Sequence, residues 1–175
     1  RWHLHVFASR GRQILARQGR WRTPLGYGGA ALSNLLHRRL LGAWLQRVVF
    51  SAGQAGLPLP LAAHFSTQQL PLTAHNLPQA VLASCSIPFW LDAVSDIAGA
   101  PRGDYWDGGI TDYHLHLPYS DMPDGLVLYP HFQAQLVPGW LDKNLRWRHR
   151  ASAWLSNVVL LTPRAAWVQT LPGGK

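Results

Sequence analysis

Asp107 stands in the run Tyr105-Trp106-Asp107-Gly108-Gly109, a carboxylate followed by two glycines. An aspartate on a strand-end glycine turn is a common way to present a catalytic base. Gly108 and Gly109 can take backbone angles closed to other residues, and they let a ligand or a neighbouring backbone come close to the carboxylate. Partial burial beside Tyr105 and Trp106 is expected to raise the pKa of Asp107 and leave it poised to take a proton from a nearby hydroxyl. Taken alone, however, Asp-Gly-Gly is more often a plain turn closing a hairpin. The nucleophile that such a base would serve is absent from its usual setting, because no serine of the chain lies in a Gly-x-Ser-x-Gly elbow. Ser9, in Phe7-Ala8-Ser9-Arg10-Gly11, and Ser51, in Val49-Phe50-Ser51-Ala52-Gly53, each have the second elbow glycine and lack the first.

Histidine offers a rival chemistry. His3 and His5, and His114 and His116 beside Asp112, are pairs two residues apart that would share one face of a strand, and with Asp107 or Asp112 and His131 they could hold zinc or iron. Nine histidines give such spacings readily by chance, and a chain without glutamate has no His-Glu-x-x-His helix. Cys85, the one cysteine, can form no internal disulfide; flanked by small residues just before a proline, it reads as a packed side chain rather than a nucleophile.

The elements that must position these groups are coarsely visible. His3-Leu4-His5-Val6-Phe7 alternates with period two and reads as a strand running into a loop at Ser9-Arg10-Gly11. Gly19 to Gly29, with Pro24, Gly26, Gly28 and Gly29, reads as a turn-rich connector. From Ala30 to about Phe50 apolar residues recur at three and four, predicting an amphipathic helix with Arg38, Arg39 and Arg47 on its polar face. Asn76 is expected to cap a short helix over Leu77 to Ala83 that Pro88 stops. Gly125 to Pro130 contains an apolar run of strand length, and a last helix is expected from near Asp142 to Leu161, ended by Pro163. Alternation of strands and helices predicts an α/β layered architecture, helix/sheet/helix, in one domain spanning residues 1–175.

Composition narrows the setting. A chain of 175 residues, 47% hydrophobic, can bury a sizeable core, and it contains no apolar run near the ~20 residues that span a bilayer. The net charge of +8 is unevenly laid out: every acid is an aspartate between Asp92 and Asp142, whereas residues 1–91 carry nine arginines and no acid. Arg1, Arg10, Arg12, Arg17, Arg20 and Arg22 among Trp2, Trp21 and Tyr27 read first as a solvated basic surface, and second as a face for anionic lipid. No nucleic-acid-binding signature accompanies them. Nine tryptophans, Trp90, Trp106, Trp140, Trp147, Trp154 and Trp167 among them, and the run Arg146-Trp147-Arg148-His149-Arg150 suit either half-buried aromatic packing or an anionic lipid surface.

Ala83-Ser84-Cys85-Ser86-Ile87-Pro88, followed by Tyr105-Trp106-Asp107-Gly108-Gly109-Ile110 and then Pro118, resembles the C-terminal half of the patatin-like phospholipase family, most closely over residues 70–130. The resemblance implies a lipid acyl hydrolase with a Ser-Asp dyad, in which Asp107 is the base and Gly108 and Gly109 support it, with no cofactor and no metal. Substrates would be phospholipids or related esters, no nucleic acid would be bound, and the location would be cytoplasmic or peripheral to a membrane. The family's Gly-rich oxyanion loop and serine elbow, which precede this region, have no counterpart in these residues. The chain is therefore expected to be an incomplete C-terminal portion of a patatin-like domain, inactive alone. The alternatives are a non-catalytic lipid-surface or partner-binding relative, or a metal-dependent hydrolase using His114 and His116.

Overall fold

The computed structural model of the chain describes residues 3–53, 66–122 and 125–173. Five strands, β1 (Leu4–Gly11), β2 (Leu45–Ala52), β3 (Thr67–Pro71), β4 (Val94–Ser95) and β5 (Asp104–Asp107), form one mixed sheet in the order β3-β2-β1-β5-β4. β1 lies in the middle and pairs antiparallel with both β2 and β5, β2 and β3 are parallel, and β4 closes the far edge antiparallel to β5. Helices α1 (Arg22–Leu36), α2 (Leu77–Ser84) and the single-turn α3 (Gly109–Asp112) accompany it. Strands β6 (Val127–Pro130) and β7 (Val158–Leu161) make a separate parallel pair, and α4 (Ala165–Val168) ends the described chain. The fold is thus mixed α/β, as alternation predicts.

Neighbouring residues of β5 send their side chains to opposite faces, as the pleat requires. Tyr105 joins Val6, Ala8, Val48, Phe50 and Ile97 in a core with Ala80 and Ala83 of α2, while Trp106 joins Leu15, Leu41, Leu45 and Ile110 in a core with Tyr27 and Ala30 of α1. Both aromatic rings are fully buried.

The strand at His3 to Phe7 and the helix from Leu77 are where the sequence places them, and the strand ending at Pro130 is present. Five expectations are corrected. β1 does not loop out at Ser9 but runs to Gly11, because Ser9 and Arg10 are paired on both sides, to Arg47 and Gln46 of β2 and to Trp106 and Tyr105 of β5. The Gly19 to Gly29 segment is not a connector: α1 runs through Gly26, Gly28 and Gly29, and the missing side chains of Gly26 and Gly29 serve close packing. A Cβ on Gly26 would stand 2.5 Å from the Leu15 side chain, and one on Gly29 would enter the Trp44 ring.

The helix read from Ala30 to Phe50 stops at Leu36, passes through a 3-10 turn at Arg38–Ala43 and gives way to β2. The run Val48-Val49-Phe50 is buried on both faces of the sheet, and β-branched residues favour that pleated surface over a helix whose stripe they also satisfy. The helix read from Asp142 to Leu161 is instead a series of 3-10 turns followed by β7, paired in register from Val158 opposite Val127. Asn76 precedes α2 but its side chain does not cap it: Oδ1 accepts the Thr73 N–H, and Nδ2 donates to Pro71 and Ala98 carbonyls, tying α2 to the connection between β4 and β5. Among the described residues no helix is long and apolar enough to cross a membrane.

The uneven charge layout acquires a structural meaning. Arg17 pairs with Asp96 and Asp104, Arg38 with Asp142, and Arg47 with Asp112, so the basic first half grips the acidic middle. Asp142 is fully buried and receives Arg38, Arg148 and the Asn34 amide, and Asp112 holds Arg47 through both carboxylate oxygens. Arg38 and Arg47, expected on the polar face of a helix, are instead drawn into buried pairs, whereas Arg17 keeps an exposed side chain. Removing one member of such a buried set leaves a desolvated charge behind, which costs more than the pair contributes. Asp142→Ala, which strands Arg38 and Arg148, is expected to lower unfolding free energy by about 3–5 kcal/mol, measured by urea denaturation against wild type.

Candidate active site at the end of β5

The two motifs met far apart in the sequence are joined by one hydrogen bond. The Asp107 N–H donates to the Ser86 carbonyl at 2.9 Å, so the segment after α2 is stitched to the end of β5. On its other side Asp107 lies opposite Ala8 of β1. The chain then turns at Gly108 into α3, where a Cβ would collide with the Phe7 carbonyl group of the central strand. Glycine is required here by contact rather than by backbone angle, since Gly108 has an ordinary helical conformation with φ −63°. Gly109 donates its N–H to Asp107 Oδ1 at 2.6 Å, fixing the carboxylate against the start of α3. The glycines' supporting role is thus one of steric clearance and a backbone donor.

Asp107 lines a pocket of about 100 Å³ with Ile87, Pro88, Gly109, Ile110, Tyr113, Trp140 and Lys143. The walls are mostly apolar, and Lys143 adds a cation whose Nζ lies 4.3 Å from the centre of the Tyr113 ring. Burial raises the Asp107 pKa above the usual carboxylate range, opposed in part by the Gly109 N–H and more weakly by Lys143. Oδ1 is engaged; among the described residues Oδ2 accepts no hydrogen bond. A desolvated carboxylate with one held and one open oxygen is a suitable proton acceptor.

Two buried donors near the end of β5 lack partners among the described residues, the Tyr27 hydroxyl and the Trp106 indole N–H. Their rings meet edge to face at 5.9 Å. Tyr27 is pushed well above the phenol range, first by burial and then by the negative charge of Asp107, and so remains a neutral donor. Sequence reading placed Tyr27 only among surface arginines. Its position on the inward stripe of α1, four residues after Thr23 and three before Ala30, was the available signal, masked by the glycines around it.

The remaining candidates fall elsewhere. Ser9 is buried, its hydroxyl 3.1 Å from Thr111 Oγ1, and does not line the pocket. Ser51 lies 2.8 Å from His5 Nδ1, a serine and histidine pair that spacing does not reveal because β1 and β2 bring it together; among the described residues no carboxylate bonds to that histidine. Cys85 is exposed at the end of α2, contrary to the packed position expected of it, because it is Ser86 that turns inward.

His114 and His116 do not share a strand face, since they follow α3 in a turn where Leu115 has a φ of 40°. His114 accepts the Val137 N–H and packs on the Tyr113, His131 and Phe132 rings; burial, then His131, pulls its pKa down to about 4. His116 bonds Ser152 at 2.8 Å. Among the described residues no three His, Cys, Asp or Glu side chains are grouped to hold a metal ion.

Two measurements check this geometry. Gly108→Ala should force β1 and β5 apart at Phe7 and lower stability by about 1–3 kcal/mol or prevent folding, as overpacking does, read by thermal or urea unfolding. Asp107→Asn should stabilise the fold at pH 7. A folded-state pKa raised above the unfolded one means that ionisation opposes folding, so the wild-type handicap appears as pH rises through the raised value. It vanishes below the unfolded value of about 3.9, where both states are protonated. Thermal midpoints of the two proteins should therefore separate at pH 7 and converge in acid.

Comparison of the chain with protein-family models, with curated proteins and with solved structures finds no match.

Proposed function

We propose that this chain supplies the base of a Ser-Asp dyad in a lipid acyl hydrolase of the patatin-like kind, its helix and sheet layers being the C-terminal part of such a domain. The observation that carries the reading is the Asp107 carboxylate: desolvated, held through Oδ1 by Gly109, open at Oδ2 and facing an apolar-walled pocket with one cation. The joining of Ala83-to-Pro88 to Asp107 through the Ser86 carbonyl supports the pairing of the two motifs on which the resemblance rests.

In this reading Oδ2 of Asp107 takes the proton of a serine hydroxyl as its oxygen attacks the ester carbonyl, and returns that proton to the departing alcohol. The acyl-serine left behind is then cleaved by water, with Asp107 again the base. Ile87, Pro88, Ile110 and Trp140 would line the acyl chain, and Lys143 would face the phosphate of a phospholipid. The serine and the oxyanion donors would come from polypeptide outside these 175 residues, in a Gly-x-Ser-x-Gly elbow and a Gly-rich loop.

The gene's reading frame around this chain is expected to encode both. In a polypeptide carrying them, Asp107→Asn should lower kcat for ester hydrolysis roughly 10³- to 10⁴-fold with little change in KM. Retained turnover would remove Asp107 from the mechanism. A second reading, a non-catalytic lipid-surface relative, draws on the fact that no serine among the described residues lines the pocket; an intact frame lacking the elbow would select it.

A further inference from the structure

α1 is apolar on both sides. Its inward stripe, Thr23, Gly26, Tyr27, Ala30 and Asn34, packs on the sheet, and the opposite stripe carries Trp21, Leu25, Leu32 and Leu36, exposed by 71, 64, 68 and 80%. The spacing of four, seven and four keeps these side chains on one line along a helix about 22 Å long. An ordinary surface helix turns polar residues outward, so this face calls for a cover.

The turn after Pro88 adds a second exposed apolar patch against the N-terminal end of α1. Phe89, Trp90 and Leu91 are exposed by 56, 85 and 51%, and they border a surface pocket together with Arg20, Thr23 and Pro24 at the start of α1. Phe89 packs its ring 5.5 Å from Tyr27 and holds a φ of 71°, a conformation costly for an aromatic residue. The same turn begins at Ile87 and Pro88, which wall the Asp107 pocket. One short segment thus leads from the candidate base to the N-terminal end of α1.

Charge identifies the cover. Trp21 stands between Arg20 and Arg22, both exposed, with the Arg20 guanidinium 5.6 Å from the Trp21 ring centre, and residues 1–91 hold no acid. Asp92 lies on that rim and accepts the Gln18 amide, while Asp96 and Asp104 close by are paired with Arg17. Tryptophan and leucine flanked by arginine suit the boundary between anionic headgroups and acyl chains. A second copy of the chain would bring these arginines against one another.

We propose that the outer face of α1 and the Phe89–Leu91 turn form a docking surface for an anionic lipid bilayer, which sets the Asp107 pocket at the membrane interface. The proposal rests on the acyl-hydrolase reading for its purpose, but binding is read without turnover, so the two can fail separately.

The test is flotation of the chain with vesicles of phosphatidylcholine alone and with about 30% phosphatidylserine, between about 50 and 500 mM salt. Binding to the anionic vesicles is expected, weakening as salt rises. Arg20→Gln with Arg22→Gln should weaken it roughly thirtyfold, at about one headgroup interaction per arginine. Trp21→Ala with Trp90→Ala should weaken it about tenfold or more. Trp147→Ala, 59% exposed on another segment, should leave it unchanged.

Absence of binding to anionic vesicles would overturn the proposal, as would equal loss in the Trp147 variant or indifference to the paired arginine change. A dimer seen by light scattering and dissolved by the paired tryptophan change would hand the face to a second copy. Vesicle binding without ester hydrolysis, in a polypeptide bearing the serine elbow, would uphold the surface and sink the role of Asp107 alone.

Discussion

Buried aspartates paired with arginines from distant segments are the constraint on which the rest of this structure depends. Asp104, Asp112 and Asp142 are each almost or wholly removed from solvent, and each is held by at least one guanidinium. A charge placed there alone would be prohibitive; placed with its partner and further hydrogen bonds it is tolerated, and it allows few alternative arrangements. Arg17 fixes the start of β5, with Ser95 and the Gln18 N–H completing the shell around Asp104. Arg47, from the central part of β2, fixes the end of α3. Arg38 and Arg148 fix the 3-10 turn that carries Trp140 and Lys143 toward the pocket.

Against that background Asp107 is distinctive for what it lacks. It lies on β5 three residues after the anchored Asp104 and five before the anchored Asp112, yet among the described residues no cation reaches salt-bridge distance, and its polar contact is one backbone N–H. Paired carboxylates are held in place so that an unpaired one can stay desolvated between them. Rigid anchors around a group left in an unfavourable state keep the Asp107 carboxyl desolvated and its pKa raised. The collision that any side chain at Gly108 would have with Phe7 shows how closely the turn is drawn against the central strand.

Sequence pattern was sufficient where it came from contacts close along the chain. The alternation at His3 to Phe7, the apolar run before Pro130 and the short helix after Asn76 appear as read. It misled where two periods fitted the same residues: Leu45 and Val48 satisfy a helical stripe begun at Leu32, and only burial on both faces of a sheet makes β2 the lower-energy choice. Glycines in α1 looked like turn formers because the side chains that fill their space, Leu15 and Trp44, are distant in the chain or arrive from the following turn.

By itself, then, the sequence determined an α/β chain, an Asp-Gly-Gly turn at the end of a strand, an exposed set of aromatic and basic residues, and a segregation of charge along its length. Tertiary structure alone decided which charges were paired and which left bare. It brought Ser86 to Asp107, buried Tyr27 beside it, placed Ser51 against His5, and left the Trp21 to Leu36 stripe of α1 outward. The reason is physical: period and composition report what a residue prefers locally, whereas desolvation and hydrogen-bond partnership depend on segments 21 to 108 residues away.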